Sequence, residues 1–211
     1  ARIVTVLERR YAAYDGLNLC WETLEGIAKH NGPVHGDLAA DMERLFEGFD
    51  LELHTHASAE AQVAALSDDI AYNTHDVDDG LRAGMLDFAD LAHVALPARA
   101  LKDIDATFPG LPADKRAFEV ARRMISQLIG DVLSNSRGLL APFEGRAPED
   151  IRRHDQPVIA FSPSMYEDLQ ELRAFLFAHL YRHPQVNRRR HKTTKIIKDL
   201  FDLYDANPSL L

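Results

Sequence analysis

The residues with the clearest chemical potential lie in one decapeptide, residues 67–76 (SDDIAYNTHD), inside a pattern typical of an amphipathic helix. At 3.6 residues per turn, positions four apart are offset by about 40° and rise by about 6 Å. Asp68, Tyr72 and Asp76 therefore form one slowly drifting stripe that is about 12 Å long. Two carboxylates and a phenol along such a stripe suit a metal ion, a sugar and a further polar contact.

Each of these three residues also has a purely structural interpretation. The neighbouring Ala64 and Ala71 predict a buried environment for Asp68, where a carboxylate needs a partner such as an arginine on another helix. Tyr72 would then be a core tyrosine with its hydroxyl at the rim of the core, and Asp76 would be solvated. The spacing alone leaves both interpretations open.

Two other histidine groups could hold a metal ion, but their surroundings favour neither. His154-Asp155 lies in a polar segment after two arginines, which predicts a surface turn. His54 and His56 could chelate an ion from an extended segment, yet nothing nearby completes a tetrahedral set of ligands.

The composition is typical of a globular protein without a membrane-spanning segment. The chain has 211 residues, of which 46% are hydrophobic and 27% charged, and its hydrophobic runs are too short to span a bilayer. The single cysteine, Cys20, excludes an internal disulfide, fits a reducing cytoplasm and is expected to be a buried thiol beside Trp21. Because the chain starts without Met and without a cap for its first helical pattern, we expect it to be part of a longer protein.

The net charge of -9 argues against general affinity for nucleic acid, but the positive charges are concentrated locally. Between Arg182 and Lys198 there are seven Lys or Arg residues and no acid. This cluster predicts an anion site, and it could receive nucleic acid or an allosteric nucleotide. The alternative is a solvated helix face. We call its centre the basic strip, which comprises Arg188, Arg189, Arg190 and Lys192.

Helical periodicity accounts for most of the chain and predicts an all-α fold. Asn18 is expected to cap the first clear helix. A polar, turn-rich stretch at 141–157 suggests a helical core at 1–140 and a helical C-terminal extension at 141–211, although one continuous domain is also compatible with the pattern. The predicted helices cover residues 19–30, 36–49, 58–80, 85–94, 97–108, 114–140, 162–183 and 184–205, with an extended or tightly buried link at 158–161.

Three segments occur in an informative order. They are residues 14–33 (YDGLNLCWETLEGIAKHNGP), residues 64–81 (AALSDDIAYNTHDVDDGL), and residues 180–184 (LYRHP) followed by an arginine-rich helix. Together they resemble the signature segments of the bacterial dGTP triphosphohydrolase-like proteins, which belong to the HD-domain superfamily. The segments extend over almost the whole chain, which makes the resemblance specific.

The resemblance implies an HD-domain-like helical bundle, truncated at its N-terminal side, from an enzyme that hydrolyses a dNTP to a deoxynucleoside and triphosphate. It implies a divalent metal, Mg²⁺ or Mn²⁺, and a homo-oligomer. By position, Asp68 resembles a metal ligand, while Tyr72 and Asp76 resemble residues that meet the deoxyribose. Lys29 resembles a phosphate-contacting lysine, and its alternative role is a cation at a helix C-terminus.

One departure from the family pattern limits what this chain can do alone. In that family the first metal-binding His and the His-Asp pair precede the segment at 14–33, whereas here only thirteen residues precede it and none is His or Asp. Neither His75-Asp76 nor His154-Asp155 occupies the corresponding place. We therefore expect no catalytic residue, no stably bound metal and no activity in this chain by itself. The alternative is a non-catalytic helical module for nucleotide binding, nucleic-acid binding or oligomerisation.

Overall fold

A computed structural model describes residues 2–46 and 49–210, and within these residues the chain is all-α, as predicted. Single π-helical or 3₁₀ turns at Ile3–Leu7, Ala141–Phe143, Phe177–Tyr181 and Pro208–Leu210 accompany the α-helices. The α-helices are α1 (Trp21–Ala28), α2 (Gly36–Leu45), α3 (Ala59–Arg82), α4 (Phe88–Leu91), α5 (Ala95–Thr107), α6 (Ala113–Leu140), α7 (Pro148–Arg152), α8 (Pro163–Leu176) and α9 (Pro184–Ala206).

The start of α1 differs from the sequence prediction. Cys20 is the N-cap residue and makes no side-chain capping bond, while Asn18 lies two residues earlier with a φ of 50°. Asparagine tolerates this left-handed conformation, and Asn18 lies in the non-helical segment that precedes α1 instead of capping it. The prediction of a buried Cys20 thiol is also wrong, because Cys20 is exposed.

The predicted link at 158–161 is confirmed as a buried, non-helical segment. One side chain of α3 satisfies its backbone: Gln62 Oε1 accepts hydrogen bonds from the N–H groups of Val158 at 2.9 Å and Ile159 at 3.1 Å. The amide nitrogen of Gln62 donates to the carbonyl of Ala57 at 2.8 Å. Buried backbone groups need such partners, and here a glutamine takes the place of a neighbouring strand.

The backbone contacts group the chain into two compact units. The first unit comprises Ala1–Ala71 and Gln127–Pro163, and the second comprises Tyr72–Ser126 and Ser164–Leu211. Each unit takes residues from both sides of position 140. The division into 1–140 and 141–211 therefore stays a prediction from the sequence.

The first unit has a small core around α1 and α2. Its fully buried members are joined by partly buried side chains that include Trp21, whose indole N–H donates to the carbonyl of Asp50 at 2.7 Å. This packing fixes α1, which carries Lys29 at its C-terminal end. The buried cluster consists of Leu24, Ala28, Phe46, Leu51 and Leu53.

The second unit buries the apolar sides of α5 and α8. Polar contacts join these helices at their edges, since Arg99 pairs with Asp168 at 2.7 Å and the Ala95 N–H donates to Glu171 at 3.1 Å. Gly80 lies where a Cβ atom would be 2.5 Å from the Leu86 side chain, so a larger residue there would force that buried leucine to shift. Buried side chains of α5 and α8 include Leu96, Leu101, Ile104, Leu169, Leu172 and Leu176.

No helix in the described part of the chain is both long enough and apolar enough to cross a membrane.

Candidate functional site

Asp68 lies on the exposed side of α3, so the prediction of a buried environment is wrong. Its side chain is 73% exposed, and Ala64 and Ala71 on the same helix are exposed as well. The buried side of α3 includes Ile70, which points nearly opposite to Asp68 because two helical positions differ by about 200°. Alanine occurs on both buried and exposed sides of helices, so these alanines did not indicate which side of α3 is buried.

The partner of Asp68 is a histidine from α1's C-terminal turn. His30 Nε2 lies 3.3 Å from Asp68 Oδ2, and both side chains are substantially exposed. A carboxylate oxygen and an imidazole nitrogen are both common ligands of divalent metals. Within the described residues, however, no three His, Cys, Asp or Glu side chains come together in a group that could hold a metal ion. The pair therefore offers two side-chain donors of types that bind metals, and the role of Asp68 as a metal ligand stays a prediction from the resemblance.

Lys29 is the C-cap residue of α1, and its ammonium group is buried. It donates to Glu25 Oε1 at 3.1 Å, to Thr55 Oγ1 at 2.8 Å and to the carbonyl of His56 at 3.3 Å. Burial lowers the pKa of Lys29, and the hydrogen bond and charge of Glu25 offset only part of that effect. Its role as a phosphate contact stays a prediction from the resemblance.

Glu25 is the centre of a buried cluster with two cations. Its side chain has no exposed surface, and Arg152 of α7 approaches it in a forked geometry, with Nε 2.8 Å from Oε1 and Nη2 3.2 Å from Oε2. The Arg152 guanidinium also lies 5.0 Å from the centre of the Trp21 ring. Two positive charges therefore share one fully buried carboxylate.

The sequence contained only half of this cluster. The i,i+4 spacing of Glu25 and Lys29 on one helix indicates an ion pair. Arg152 is 127 positions away from Glu25 in the sequence, and no local pattern marks it. From the sequence, Arg152 was assigned only to the polar segment that precedes His154.

Tyr72 and Asp76 belong to the second unit, where Asp76 has a tyrosine partner. The hydroxyl of Tyr181 donates a hydrogen bond to Asp76 Oδ2, and the rings of Tyr72 and Tyr181 lie 6.5 Å apart. The structural alternatives are wrong for both residues: Tyr72 is 58% exposed and is no core tyrosine, and Asp76 is half-buried and hydrogen-bonded. Tyr181 was missed as a site residue, although it lies in the third signature segment.

Burial raises the pKa of Tyr181, and its hydrogen bonds with Asp76 and Tyr72 raise it further. The folded state therefore keeps a proton that the unfolded state releases near pH 10, so the stabilisation from this group is present below about pH 10 and is lost as the pH rises further. In the folded protein, Tyr181 should therefore stay protonated up to about pH 11. We expect the increase in absorbance that accompanies tyrosine ionisation up to that pH to be the same for wild type and Tyr181→Phe.

Denatured protein supplies the control for this titration. The chain has six tyrosines, and in denaturant the variant should show five-sixths of the wild-type step. A smaller step in the folded variant would mean that Tyr181 ionises normally and is not held by Asp76.

The basic strip lies on α9, where all four of its side chains are exposed. Arg190 Nη2 lies 3.5 Å from the carbonyl of Tyr181. At about 100° per residue, Arg188 and Lys192 differ in direction by about 40°, Arg189 lies about 60° beyond Lys192, and Arg190 lies about 100° beyond Arg189. The strip therefore covers an arc of about 200° instead of forming a single narrow stripe.

The His154 side chain and the backbone of His56 have local structural partners. His154 is exposed, and its Nδ1 lies 2.8 Å from the carbonyl of Gln156, which agrees with the predicted surface turn. The carbonyl of His56 accepts from Lys29, and its N–H donates to the carbonyl of Arg152 at 2.9 Å.

Comparisons with known proteins match the whole chain. The phosphohydrolase-associated domain family matches residues 159–211. A deoxyguanosinetriphosphate triphosphohydrolase-like protein of Cereibacter sphaeroides (strain ATCC 17029) is 48% identical over 210 residues, which cover 100% of this chain and 56% of that protein. Proteins with the same name are 49% identical in Ruegeria sp. (98% of this chain, 54% of the relative) and 48% identical in Paracoccus denitrificans (99% and 55%). The chain spans about half the length of the curated relatives it matches.

Proposed function

We propose that this chain is part of a metal-dependent dNTP triphosphohydrolase, because residues 159–211 match the phosphohydrolase-associated domain family and the whole chain is similar to deoxyguanosinetriphosphate triphosphohydrolase-like proteins. The family resemblance of the three segments is confirmed, and the all-α structure fits an HD-type helical fold. In the proposed reaction, a dNTP and water give a deoxynucleoside and inorganic triphosphate.

The observation that carries this proposal is the exposed carboxylate of Asp68. It lies on α3 with an imidazole nitrogen, His30 Nε2, 3.3 Å away. A divalent cation would supply Lewis-acid polarisation of the phosphoryl oxygens. Asp68 would be one ligand of that cation, and the other ligands would come from the rest of the full-length protein.

Tyr72 and Asp76 would position the deoxyribose. The exposed ring of Tyr72 offers an apolar surface for the sugar, and the carboxylate of Asp76 can accept a hydrogen bond from a sugar hydroxyl. Tyr181 donates to the same carboxylate and so fixes its orientation. In this proposal Tyr181 is a positioning residue.

Lys29 would contribute positive charge for the triphosphate. Its ammonium already has three acceptors, so a phosphate oxygen would have to replace the weakest of them, the His56 carbonyl at 3.3 Å.

The test is product analysis with the full-length protein in which this sequence occurs. With Mg²⁺ or Mn²⁺, each dNTP should give equal amounts of deoxynucleoside and triphosphate, and chelation of the metal should stop the reaction. Release of pyrophosphate with a nucleoside monophosphate would contradict the proposed bond cleavage. The 211-residue chain alone should give no turnover.

A second candidate function is anion binding by the basic strip, which is favoured by the exposure of all four side chains. A labelled single-stranded oligothymidylate should bind more weakly as salt increases. Replacing both Arg189 and Arg190 with glutamate should weaken binding and reduce the slope of log affinity against log salt by at least about 1.4, the value for two phosphate contacts. Arg153→Glu makes the same type of change at an exposed arginine outside the strip and should have little effect. Unchanged binding in the double variant would refute the role of the strip.

A further inference from the structure

A groove of about 340 Å³ lies between the N-terminal half of α3 and the C-terminal half of α6, both in the first unit. Its buried floor includes Ile70, Ser136 and Ile159. Ser136 Oγ accepts a hydrogen bond from the Ala160 N–H at 3.1 Å, so the polar group of the floor already has a partner. The walls are aliphatic and consist of Val63, Leu66, Ile129, Val132, Leu133 and Leu140.

The mouth of the groove leaves apolar surface in contact with water, since Val63, Ile129 and Leu133 are 45% to 55% exposed. A volume of about 340 Å³ lies within the range of about 300 to 1,000 Å³ that is typical of small-molecule sites. No aromatic ring is among the described residues that line the groove, so it offers no flat surface for stacking a planar ligand. The lining therefore suits an alkyl chain, which would remove the exposed apolar surface from water.

The mouth also carries a positive charge. Arg137 is an exposed lining residue, and in the described part of the chain it takes part in no ion pair. Ser67 is an exposed lining residue of α3, and its hydroxyl can donate a hydrogen bond. Asp68 follows Ser67 by about 100° around the helix and so points away from the groove. The described lining thus combines aliphatic walls with one cation and contains no carboxylate.

We propose that this groove binds a linear aliphatic carboxylate, with its alkyl chain between α3 and α6 and its carboxylate at Arg137. A guanidinium donates two parallel hydrogen bonds to a carboxylate, which fixes the orientation of the ligand. The lined part of α6, from Ile129 to Leu140, is about 16 Å long and accommodates a chain of medium length. This binding does not depend on the proposed reaction and is measured without a dNTP.

The probe is octanoate, added to the 211-residue chain with isotope-labelled methyl groups for NMR. The methyl resonances of Val63, Leu66 and Leu133 should shift and should saturate at one octanoate per chain. The methyl groups of Ile197 and Leu200 on α9 are the control, because they are 62% and 45% exposed but line no part of this groove, and they should not shift. Shifts that do not saturate, or equal shifts on α9, would overturn the proposal, because they indicate unspecific contact with exposed apolar surface.

Removal of the cation tests the orientation of the ligand. Arg137→Gln should raise the Kd for octanoate about tenfold, because the hydrogen bonds of a charged pair are lost. The same variant should leave the Kd for octan-1-ol unchanged, because this alcohol has the same chain without the charge. Arg146→Gln is the matched control, since Arg146 is an exposed arginine of the same unit that does not line the groove. Equal Kd values for octanoate in wild type and Arg137→Gln would overturn the proposal.

The full-length protein decides whether the groove is free in the enzyme. Equilibrium dialysis with radiolabelled octanoate should give the same Kd there as in the 211-residue chain. Loss of binding in the full-length protein would overturn the proposal, because another part of the enzyme would then fill the groove. Methyl shifts at the groove that depend on protein concentration without octanoate would also overturn it, because they would mark a second copy of the chain as the occupant.

Discussion

Replacing Glu25 with alanine is expected to lower the free energy of unfolding by about 3 to 5 kcal/mol, the range observed when one partner of a buried ion pair is removed. Glu25 is the fully buried carboxylate between Lys29 and Arg152. Its removal leaves two cations in the interior with no negative charge between them. Urea denaturation followed by circular dichroism measures the effect.

Two matched variants separate charge compensation from packing. Glu149→Ala removes a different carboxylate that contacts the same arginine at 3.2 Å, but that side chain is 57% exposed, and we expect a loss of no more than about 1 kcal/mol. Replacing Glu25, Lys29 and Arg152 together with leucine and methionine side chains should recover much of the stability lost in Glu25→Ala. Equal losses for Glu25→Ala and Glu149→Ala would show that the buried cluster carries no special stabilisation.

In the full-length protein, Asp68→Ala is expected to reduce triphosphate release by about a thousandfold or more. The polarisation supplied by a metal is worth several kcal/mol in the transition state, and each 1.36 kcal/mol corresponds to a factor of ten in rate. Because the side chain of Asp68 is exposed and, among the described residues, contacts only His30, its removal should leave the fold intact. The measurements are the rate of product release and the affinity for Mn²⁺ followed by electron paramagnetic resonance.

The control for Asp68 is an exposed carboxylate of the same unit. Asp37 lies in the first turn of α2, and Asp37→Ala should keep both the wild-type rate and the wild-type Mn²⁺ affinity. If Asp68→Ala also keeps both, the proposed metal ligand is wrong and the contact with His30 is its only role.

The sequence predicted local features well because they depend on short spacings. The course of α3 and the start of α9 after Pro184 follow from periodicity and from the fixed φ of proline. The pairing of Glu25 with Lys29 was not among the predictions, although their places one turn apart are a local signal of the same kind. In each case the relevant neighbours lie within a few residues of each other.

The features that were not predicted depend on contacts between residues that are distant in the sequence, or on which side of a helix is buried. The spacing of residues along the sequence determines neither. Arg152 and Tyr181 reach their carboxylate partners across 127 and 105 positions, and periodicity carries no information about such pairs. The exposure of Asp68 was missed because alanine is found on both buried and exposed helix faces. Which side of α3 is buried is decided by what packs against it.

The glutamine that satisfies the link at 158–161 has a mechanical consequence. Gln62 belongs to α3, the helix that carries Asp68, and it accepts from the N–H of Ile159, the first residue of the matched phosphohydrolase-associated domain. A hydrogen bond weakens steeply once its atoms separate by much more than 3 Å, so the link cannot slide along α3 without losing both of its bonds. Sliding of residues 158 and 159 along α3 would therefore break both bonds to Gln62, so these bonds oppose a local displacement of the link relative to the helix turn that carries Gln62.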